Sequence, residues 1–193
     1  MLTVIIGLLS DSHGCYERTV RAVELLDRLG AEALVHCGDV GGEQVIEALA
    51  GKRAWFVWGN TDYHDPALER FAESVGVQPP ARIPLILEFD GFVTHVYHGH
   101  EPEFTNLARS LERDASAAES LLSGVDLVAY GHTHEAAHFT AGSVEFVNPG
   151  ALHRARPHSV ATVDTESREI EHWIVSDDAA PLDAPVRMRL ETR

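Results

Sequence analysis

Several apolar segments of this sequence end in side chains that can bind a metal ion, and most of these side chains stand beside a glycine. In chain order they are Asp11, His13, Asp39, Asn60, His98, His132 and His134. This set offers carboxylate, amide and imidazole ligands but no thiolate. Such a mixture suits manganese, iron, cobalt, nickel or zinc better than an iron–sulfur cluster or an all-oxygen calcium site. The residue types therefore predict a site for divalent transition-metal ions.

The number of candidate ligands indicates two ions rather than one, because a single ion rarely uses so many side chains. Paired metals about 3.5–4 Å apart, sharing a bridging carboxylate, are the usual device for in-line displacement at phosphorus. One ion polarises the phosphoryl oxygens, and the pair lowers the pKa of a shared water so that hydroxide attacks near neutral pH. The chemistry that this pattern indicates is the hydrolysis of a phosphate ester.

The apolar segments must be strands whose ends bring these ligands together. In the first third of the chain, strand patterns alternate with helix patterns: strands are predicted at 3–9, 31–37 and 53–59, and helices at 16–30 and 42–51. This β-α-β-α-β order predicts parallel strands joined by right-handed crossovers. The carboxyl ends of such strands meet at one edge of the sheet, where ligands bind in open α/β folds.

The pattern changes in the second half of the chain. Helices are predicted at 66–76 and 104–124, a hairpin at 82–99 around Asp90-Gly91, a strand at 125–131, and two further hairpins at 136–150 and 158–175. These elements predict a single domain over residues 1–175, a mixed α/β sandwich that is parallel in front and antiparallel behind. Residues 176–193 are rich in Pro, Asp and Ala and are expected to form a loose tail.

The composition of the chain argues against some classes of binding partner and indicates a cellular compartment. The 193 residues carry a net charge of -15, and Lys52 is the only lysine. Such a field repels polyanions, so a long nucleic acid is not expected as a partner. No apolar run approaches the ~18 residues of a membrane span, so no membrane partner is expected either. Cys15 and Cys37 form no spaced framework, which is typical of a reduced cytoplasmic protein.

At the candidate ligands, the sequence resembles the calcineurin-like metallophosphoesterase superfamily, in its small single-domain phosphodiesterase branch. The superfamily pattern is Asp-x-His, Gly-Asp, Gly-Asn, His and Gly-His-x-His in that order, and here it spans residues 11–134. The Asn148-Pro149-Gly150 turn extends the resemblance into the back half of the chain. The resemblance implies a four-layer αββα sandwich with two mixed β-sheets, an α/β (α+β) fold.

The resemblance also implies how two ions share the ligands. One ion would be bound by Asp11, His13, Asp39 and His134, and the other by Asp39, Asn60, His98 and His132, with Asp39 as the bridge. An extended loop can aim residues i and i+2 into one cleft, so His132 and His134 can serve different ions. Manganese is the metal that the resemblance favours, while iron, nickel, cobalt and zinc stay open.

The sequence offers three candidates for the residue that protonates the leaving group. Protein Ser/Thr phosphatases of the superfamily have Gly-Asn-His-Glu, whose histidine assists the leaving group, but this chain has Gly59-Asn60-Thr61-Asp62. A protein phosphatase is therefore disfavoured, and His64, His100 and Asp62 are the candidates for proton donation or phosphate contact. The remaining histidines lack visible partners, and surface or loop positions are expected for His138, His153, His158 and His172.

The leading hypothesis is a metal-dependent phosphodiesterase, a phosphoric ester hydrolase in which a hydroxide activated by two metal ions attacks a small-molecule phosphodiester. A phosphomonoesterase is an alternative. The rival from a different class is a non-catalytic protein-interaction scaffold, because a retromer subunit of this fold and similar size works mainly as such a module. A scaffold typically loses a metal ligand, whereas every ligand position is filled here. A homodimer is a further expectation, because small relatives often form dimers.

Overall fold

The strands of the protein pack as two sheets in a computed structural model, which describes residues 3–177 and 184–190. Within these residues the strands are β1 (Ile5–Leu9), β2 (Ala33–His36), β3 (Ala54–Phe56), β4 (Val77–Gln78), β5 (Leu85–Phe89), β6 (Phe92–Val96), β7 (Leu127–Ala129), β8 (Ala137–Ala141), β9 (Val144–Asn148), β10 (Ser159–Asp164), β11 (Ile170–Ile174) and β12 (Arg187–Met188). The helices are α1 (Tyr16–Arg28), α2 (Glu43–Ala48), α3 (Pro66–Ser74), α4 (Pro102–Arg113) and α5 (Ala118–Leu121), and a 3-10 turn covers Ala115–Ala117.

Both sheets are mixed. In the described part of the chain, the first sheet has the order β12-β11-β10-β1-β2-β3-β4 and the second has β5-β6-β7-β9-β8. The first is parallel from β1 to β4 and antiparallel from β1 to β12. The expectation of an antiparallel back is wrong for the centre of the second sheet, where β6, β7 and β9 run parallel. The strands β6 and β7 run parallel because α4 and α5 form a helical crossover between them. The strand β8 comes between β7 and β9 in the chain and is antiparallel to β9, so β9 runs parallel to β7.

Three apolar clusters separate four layers. One fills the space between the sheets and joins Ile6 of β1 to Phe89 and Val96 of the second sheet. Another packs α1, α2 and α3 on the outer face of the first sheet, with Leu26 fully buried. The third packs α4 and α5 on the outer face of the second sheet, where Leu107 is buried. This helix–sheet–sheet–helix order confirms the predicted four-layer αββα sandwich.

The register of the parallel strands brings the predicted site residues to one edge of the sandwich. In the first sheet, Leu9 pairs with His36 and His36 with Phe56, so β1, β2 and β3 end side by side. In the second sheet, Val96 pairs with Ala129 and Ala129 with Val147, so β6, β7 and β9 also end side by side. The loops that follow these strands carry the candidate ligands, as the sequence predicted.

The prediction of one long helix over 104–124 is wrong, because this segment forms two shorter helices and a 3-10 turn. The helix starts earlier, at Pro102, and ends at Arg113, because Asp114 takes an extended conformation with φ -155° and ψ 101°. The Asp114 carboxylate accepts a hydrogen bond from the Ser116 backbone N–H and opens a new turn. Asp and Ser side chains compete in this way with helical backbone bonds, so the segment divides into α4, the 3-10 turn and α5.

The segment expected to form a loose tail, 176–193, is only partly described. Arg187 and Met188 pair with β11 as the edge strand β12. The expectation for 178–183 and 191–193 lies outside the described residues. Across the residues that are described, no helix combines the length and apolarity needed to cross a membrane.

Candidate metal centre

The buried carboxylate of Asp11 ties together the loops that follow β1 and β7. Its Oδ2 accepts a hydrogen bond of 2.6 Å from the Ser10 hydroxyl and one of 3.1 Å from the backbone N–H of His132. The Asp11 backbone N–H in turn donates to the carbonyl of Gly38. These bonds fix three strand-end loops relative to one another, so the two sheets share one site.

Four of the predicted ligands form a tight first group. The ligand atoms of Asp11, His13, Asp39 and His134 all lie within 4.8 Å of one another. Nε2 of His13 is 3.4 Å from Oδ2 of Asp39 and 3.3 Å from Nε2 of His134. Two imidazoles and two carboxylates thus face a common point, and they are the ligand set that the resemblance implied for the first ion.

The other predicted ligands form a second group that shares Asp39. Nε2 of His98 is 3.5 Å from Oδ2 of Asp39 and 3.1 Å from Oδ1 of Asn60. The ring of His132 lies 5.1 Å from that of His98, centre to centre. Oδ2 of Asp39 therefore faces one histidine of each group, His13 on one side and His98 on the other.

The donor atoms present fit divalent cations. Oδ1 of Asp11 is buried and has no hydrogen-bond partner among the described residues, although Nε2 of His134 lies 3.1 Å away. A buried carboxylate oxygen without a partner is costly unless a cation completes its surroundings. Burial raises the pKa of Asp11 above its ordinary value. Burial also acts to raise the pKa of Asp39, but hydrogen bonds from His98 and Thr61 outweigh it and lower that pKa.

Hydrogen bonds behind the ligands set their orientation. Nδ1 of His98 donates to the carbonyl of Cys37 at 2.7 Å, which leaves Nε2 directed at Asp39 and Asn60. The buried carboxylate of Glu101 accepts from the backbone N–H groups of His98 and Gly99 at 2.7 Å each. Such partners commonly fix the tautomer and the ring plane of a metal-binding histidine.

Most of the ligand residues have left-handed backbone conformations. The φ values are 53° at Asp11, 44° at His13, 53° at Asp39, 69° at His132 and 60° at His134. Residues other than glycine rarely adopt φ in this range, and their strain collects at functional sites. These loops therefore keep locally unfavourable backbone conformations, which place the side chains of the candidate ligands at the site.

Two glycines allow the loops to approach this closely. A Cβ atom on Gly59 would overlap the carboxylate and backbone nitrogen of Asp39, and one on Gly131 would overlap the Ser10 hydroxyl. Neither position could hold a larger residue unless the ligand loops moved. The glycines beside the ligands in the sequence thus have a steric cause.

The three candidates for proton donation lie in different surroundings. The ring of His100 is 5.3 Å from that of His98 and 6.2 Å from that of His132. The ring of His64 lies 4.9 Å from that of Trp58 at a tilted angle, and 71% of the His64 side chain is exposed. Both carboxylate oxygens of Asp62 accept backbone N–H groups: those of Val40 and Gly59 on Oδ2, and that of Gly41 on Oδ1.

The expectation of surface or loop positions is wrong for His172, which is buried in β11 and whose Nε2 donates to the carbonyl of Asn148 at 2.8 Å. His158 lies in a loop, as expected, although its side chain is buried. His153 does lie in a loop, but its ring is 5.2 Å from that of His13. Sequence reasoning missed this neighbour of the centre, because the only local signal was the preceding Asn-Pro-Gly turn.

Comparison with known proteins agrees with this fold and site. Residues 4–168 match the model of the calcineurin-like phosphoesterase superfamily domain, and the chain therefore belongs to that superfamily. Phosphodiesterase MJ0936 of Methanocaldococcus jannaschii is 25% identical over 175 residues, which cover 88% of this chain and 98% of that protein.

Two solved structures show the shared fold. A structure described as a novel archaeal phosphodiesterase is similar with a TM-score of 0.74 and 23% identity, covering 89% of this chain and 99% of that chain. Wild-type Vps29 of Entamoeba histolytica, complexed with Zn²⁺, is similar with a TM-score of 0.57 and 16% identity, covering 97% and 98%. The same sandwich is thus found in a phosphodiesterase and in Vps29.

Proposed function

We propose that this protein is a metal-dependent phosphodiesterase that hydrolyses a small phosphodiester at a centre for two divalent transition-metal ions. One observation carries the proposal: Oδ2 of Asp39 faces His13 at 3.4 Å and His98 at 3.5 Å, between two groups of nitrogen and oxygen donors. Membership of the phosphoesterase superfamily and the likeness to phosphodiesterase MJ0936 support it.

The donor set decides which metals are proposed. Asp11, His13, Asp39 and His134 would hold one ion, and Asp39, Asn60, His98 and His132 the other. Manganese is proposed first, and iron, cobalt, nickel and zinc also suit imidazole and carboxylate ligands. When bound, such a pair supplies Lewis-acid activation of water and neutralises charge on the phosphoryl oxygens.

The side chains around the centre have separate tasks in this proposal. His98 keeps Nε2 available because its Nδ1 is bound to the Cys37 carbonyl. His100 is proposed as the group that contacts the phosphoryl or leaving-group oxygen, since its ring lies beside His98 and His132. His64 is a weaker candidate because it is directed at Trp58 and is largely exposed. Asp62 is proposed to position the loops through its three backbone hydrogen bonds.

A small substrate is proposed over a polymer. The net charge of -15 opposes the approach of a polyanion such as a long nucleic acid. A small diester with one negative charge meets much less repulsion. The cytoplasmic location and the homodimer stay predictions; the free state of both Cys15 and Cys37 supports a reducing compartment.

The test compares bis(4-nitrophenyl) phosphate with 4-nitrophenyl phosphate, using protein stripped of metal and then supplied with Mn²⁺. We expect turnover of the diester that depends on metal and exceeds turnover of the monoester. The Asp39→Asn variant should lose this turnover, because it removes the charge shared by the two groups. The Asp65→Asn variant is the matched control, since Asp65 is an exposed helix cap and asparagine also caps helices.

The alternatives predict different results in the same assay. Faster turnover of the monoester would make the protein a phosphomonoesterase. Folded, metal-loaded protein that hydrolyses neither ester would favour a scaffold. Metal binding by itself does not separate these readings, because the similar Vps29 structure also contains Zn²⁺.

A further inference from the structure

The loop at residues 149–158 forms one wall of the metal centre, and its start is fixed to the loop of His132 and His134. Nδ2 of the buried Asn148 donates to the Gly131 carbonyl at 2.8 Å and to the Thr133 hydroxyl at 3.1 Å. Oδ1 of Asn148 accepts the backbone N–H of Gly150 at 2.9 Å. One side chain therefore joins the end of β9 to the ligand loop that follows β7.

The middle of the same loop is fixed to the residue before Asp11. The backbone N–H of Leu152 donates to the Ser10 carbonyl at 3.1 Å. The Leu152 carbonyl accepts a hydrogen bond of 2.7 Å from Nη1 of Arg18, on α1. Leu152 itself is fully buried. The loop thus has a defined position relative to the centre, which is what a substrate-binding element requires.

This anchoring places His153 against a predicted metal ligand. Its ring lies 5.2 Å from the ring of His13, and its Nδ1 lies 3.4 Å from Sγ of Cys15. No hydrogen bond from the described residues reaches Nε2 of His153. The imidazole therefore stands at the rim of the first ligand group with one nitrogen available to a ligand.

The next residue, Arg154, is exposed and has a left-handed backbone with φ 53°. It makes no ion pair with a carboxylate of the residues that the structure describes. Arg154 directly follows His153, so it is carried on the same anchored loop. In a chain with 30 acidic and 15 basic Lys and Arg residues, an arginine on this loop offsets the repulsion of an anion locally.

We infer that Arg154, together with His153, binds a second anionic group of the substrate. The substrate class is then a phosphodiester in which one alcohol carries a phosphate or phosphonate a few bonds from the scissile phosphorus. A guanidinium offers paired N–H donors that match the oxygens of such a group. This inference rests on the proposed phosphodiesterase activity.

The test uses two esters with the same leaving group, 4-nitrophenyl 3-phosphonopropyl phosphate and 4-nitrophenyl butyl phosphate. We expect kcat/KM of the Mn²⁺-loaded wild type to be about tenfold higher for the phosphonate ester, the size of one charge-assisted hydrogen bond. Arg154→Gln should reduce the ratio of kcat/KM between the phosphonate ester and the butyl ester to about one. Arg113→Gln, at the exposed end of α4, removes the same charge and should change neither ester.

A calorimetric titration of metal-stripped protein with the phosphonate ester gives a readout independent of turnover. Binding should weaken about tenfold in Arg154→Gln and not in Arg113→Gln. Equal kcat/KM for the two esters in the wild type would overturn the inference while leaving the phosphodiesterase intact. Hydrolysis of neither ester would count against the proposed function. The titration would then test the anion site by itself. Binding that depends on Arg154 would support the site, and binding that the Arg154→Gln variant leaves unchanged would overturn it.

Discussion

Oδ1 of Asp11 and Nε2 of His134 lie 3.1 Å apart in the centre, yet the buried Oδ1 has no hydrogen-bond partner in the described part of the chain. The other oxygen of the same carboxylate accepts two hydrogen bonds, from Ser10 and from the backbone of His132. The protein thus satisfies one half of the carboxylate and leaves the other half for a cation. The Asp11 carboxylate can therefore hold the neighbouring loops in place through Oδ2 and bind a metal ion through Oδ1.

Asp11→Asn should stabilise the metal-free protein by about 1 kcal/mol, because an unsatisfied buried charge is removed and the amide oxygen can still accept from Ser10 and His132. Urea unfolding in the presence of a chelator measures this difference. With saturating Mn²⁺ the order should reverse, since the wild type gains metal binding energy that the variant lacks. A metal-free variant less stable than the metal-free wild type would contradict the cation role of Oδ1.

Gly59→Ala should destabilise the protein by about 3 kcal/mol, because the added methyl group overlaps the carboxylate and backbone of Asp39. Gly124→Ala is the comparison, since Gly124 has open space around it and only its φ of +77° opposes a side chain. That change should cost about 1 kcal/mol. Thermal unfolding of both variants checks the ranking, and similar losses would show that the close approach at Gly59 is not required.

Asp62→Asn separates a positioning role from proton donation. The asparagine oxygen can keep only part of the three backbone bonds, so we expect a loss of about 1–2 kcal/mol in stability. Metal affinity should fall about tenfold, as is usual when a group behind the ligands is lost. Excess Mn²⁺ should then restore turnover with an unchanged pH profile. Activity that stays low at every metal concentration would identify Asp62 as the catalytic acid.

The stability of the protein should fall as the pH drops below about 6.5, partly through His172. Burial lowers the pKa of His172, and this effect outweighs the hydrogen bond to the Asn148 carbonyl, which acts in the opposite direction. Folding therefore favours the neutral ring: its contribution is complete above the unfolded pKa near 6.5 and is lost as the pH falls towards the folded pKa. His172→Gln does not titrate, so the difference in melting temperature between pH 7.5 and 5.5 should be smaller in the variant. An equal difference in both proteins would contradict this origin.

The ligand set could be predicted from the sequence because it follows a local rule. Each candidate ligand lies within five residues of the end of an apolar strand, and parallel strands bring their carboxyl ends to one edge. Asp39 and His98 are distant in the chain, but they lie three residues beyond β2 and two residues beyond β6. The strand pattern therefore predicted that the candidate ligands lie close together, without any knowledge of the loops.

Other features of the site and the fold could be seen only in the tertiary structure. The approach of His153 to His13 depends on how β9 and β10 enter the two sheets, and no short-range pattern records it. His172 looks polar in the sequence, but its position in β11 between paired strands buries it. The break at Asp114 was missed because the apolar spacing continues on both sides of it, while one capping carboxylate ends the helix.

The central claim is that Asp39 is shared by two metal ions, and anomalous diffraction from crystals soaked in Mn²⁺ tests it most directly. We predict two manganese peaks about 3.5–4 Å apart, on either side of Asp39. One should contact Asp11, His13 and His134, and the other Asn60, His98 and His132. A single peak at full occupancy, or two peaks of which one does not contact Asp39, would contradict the two-metal account.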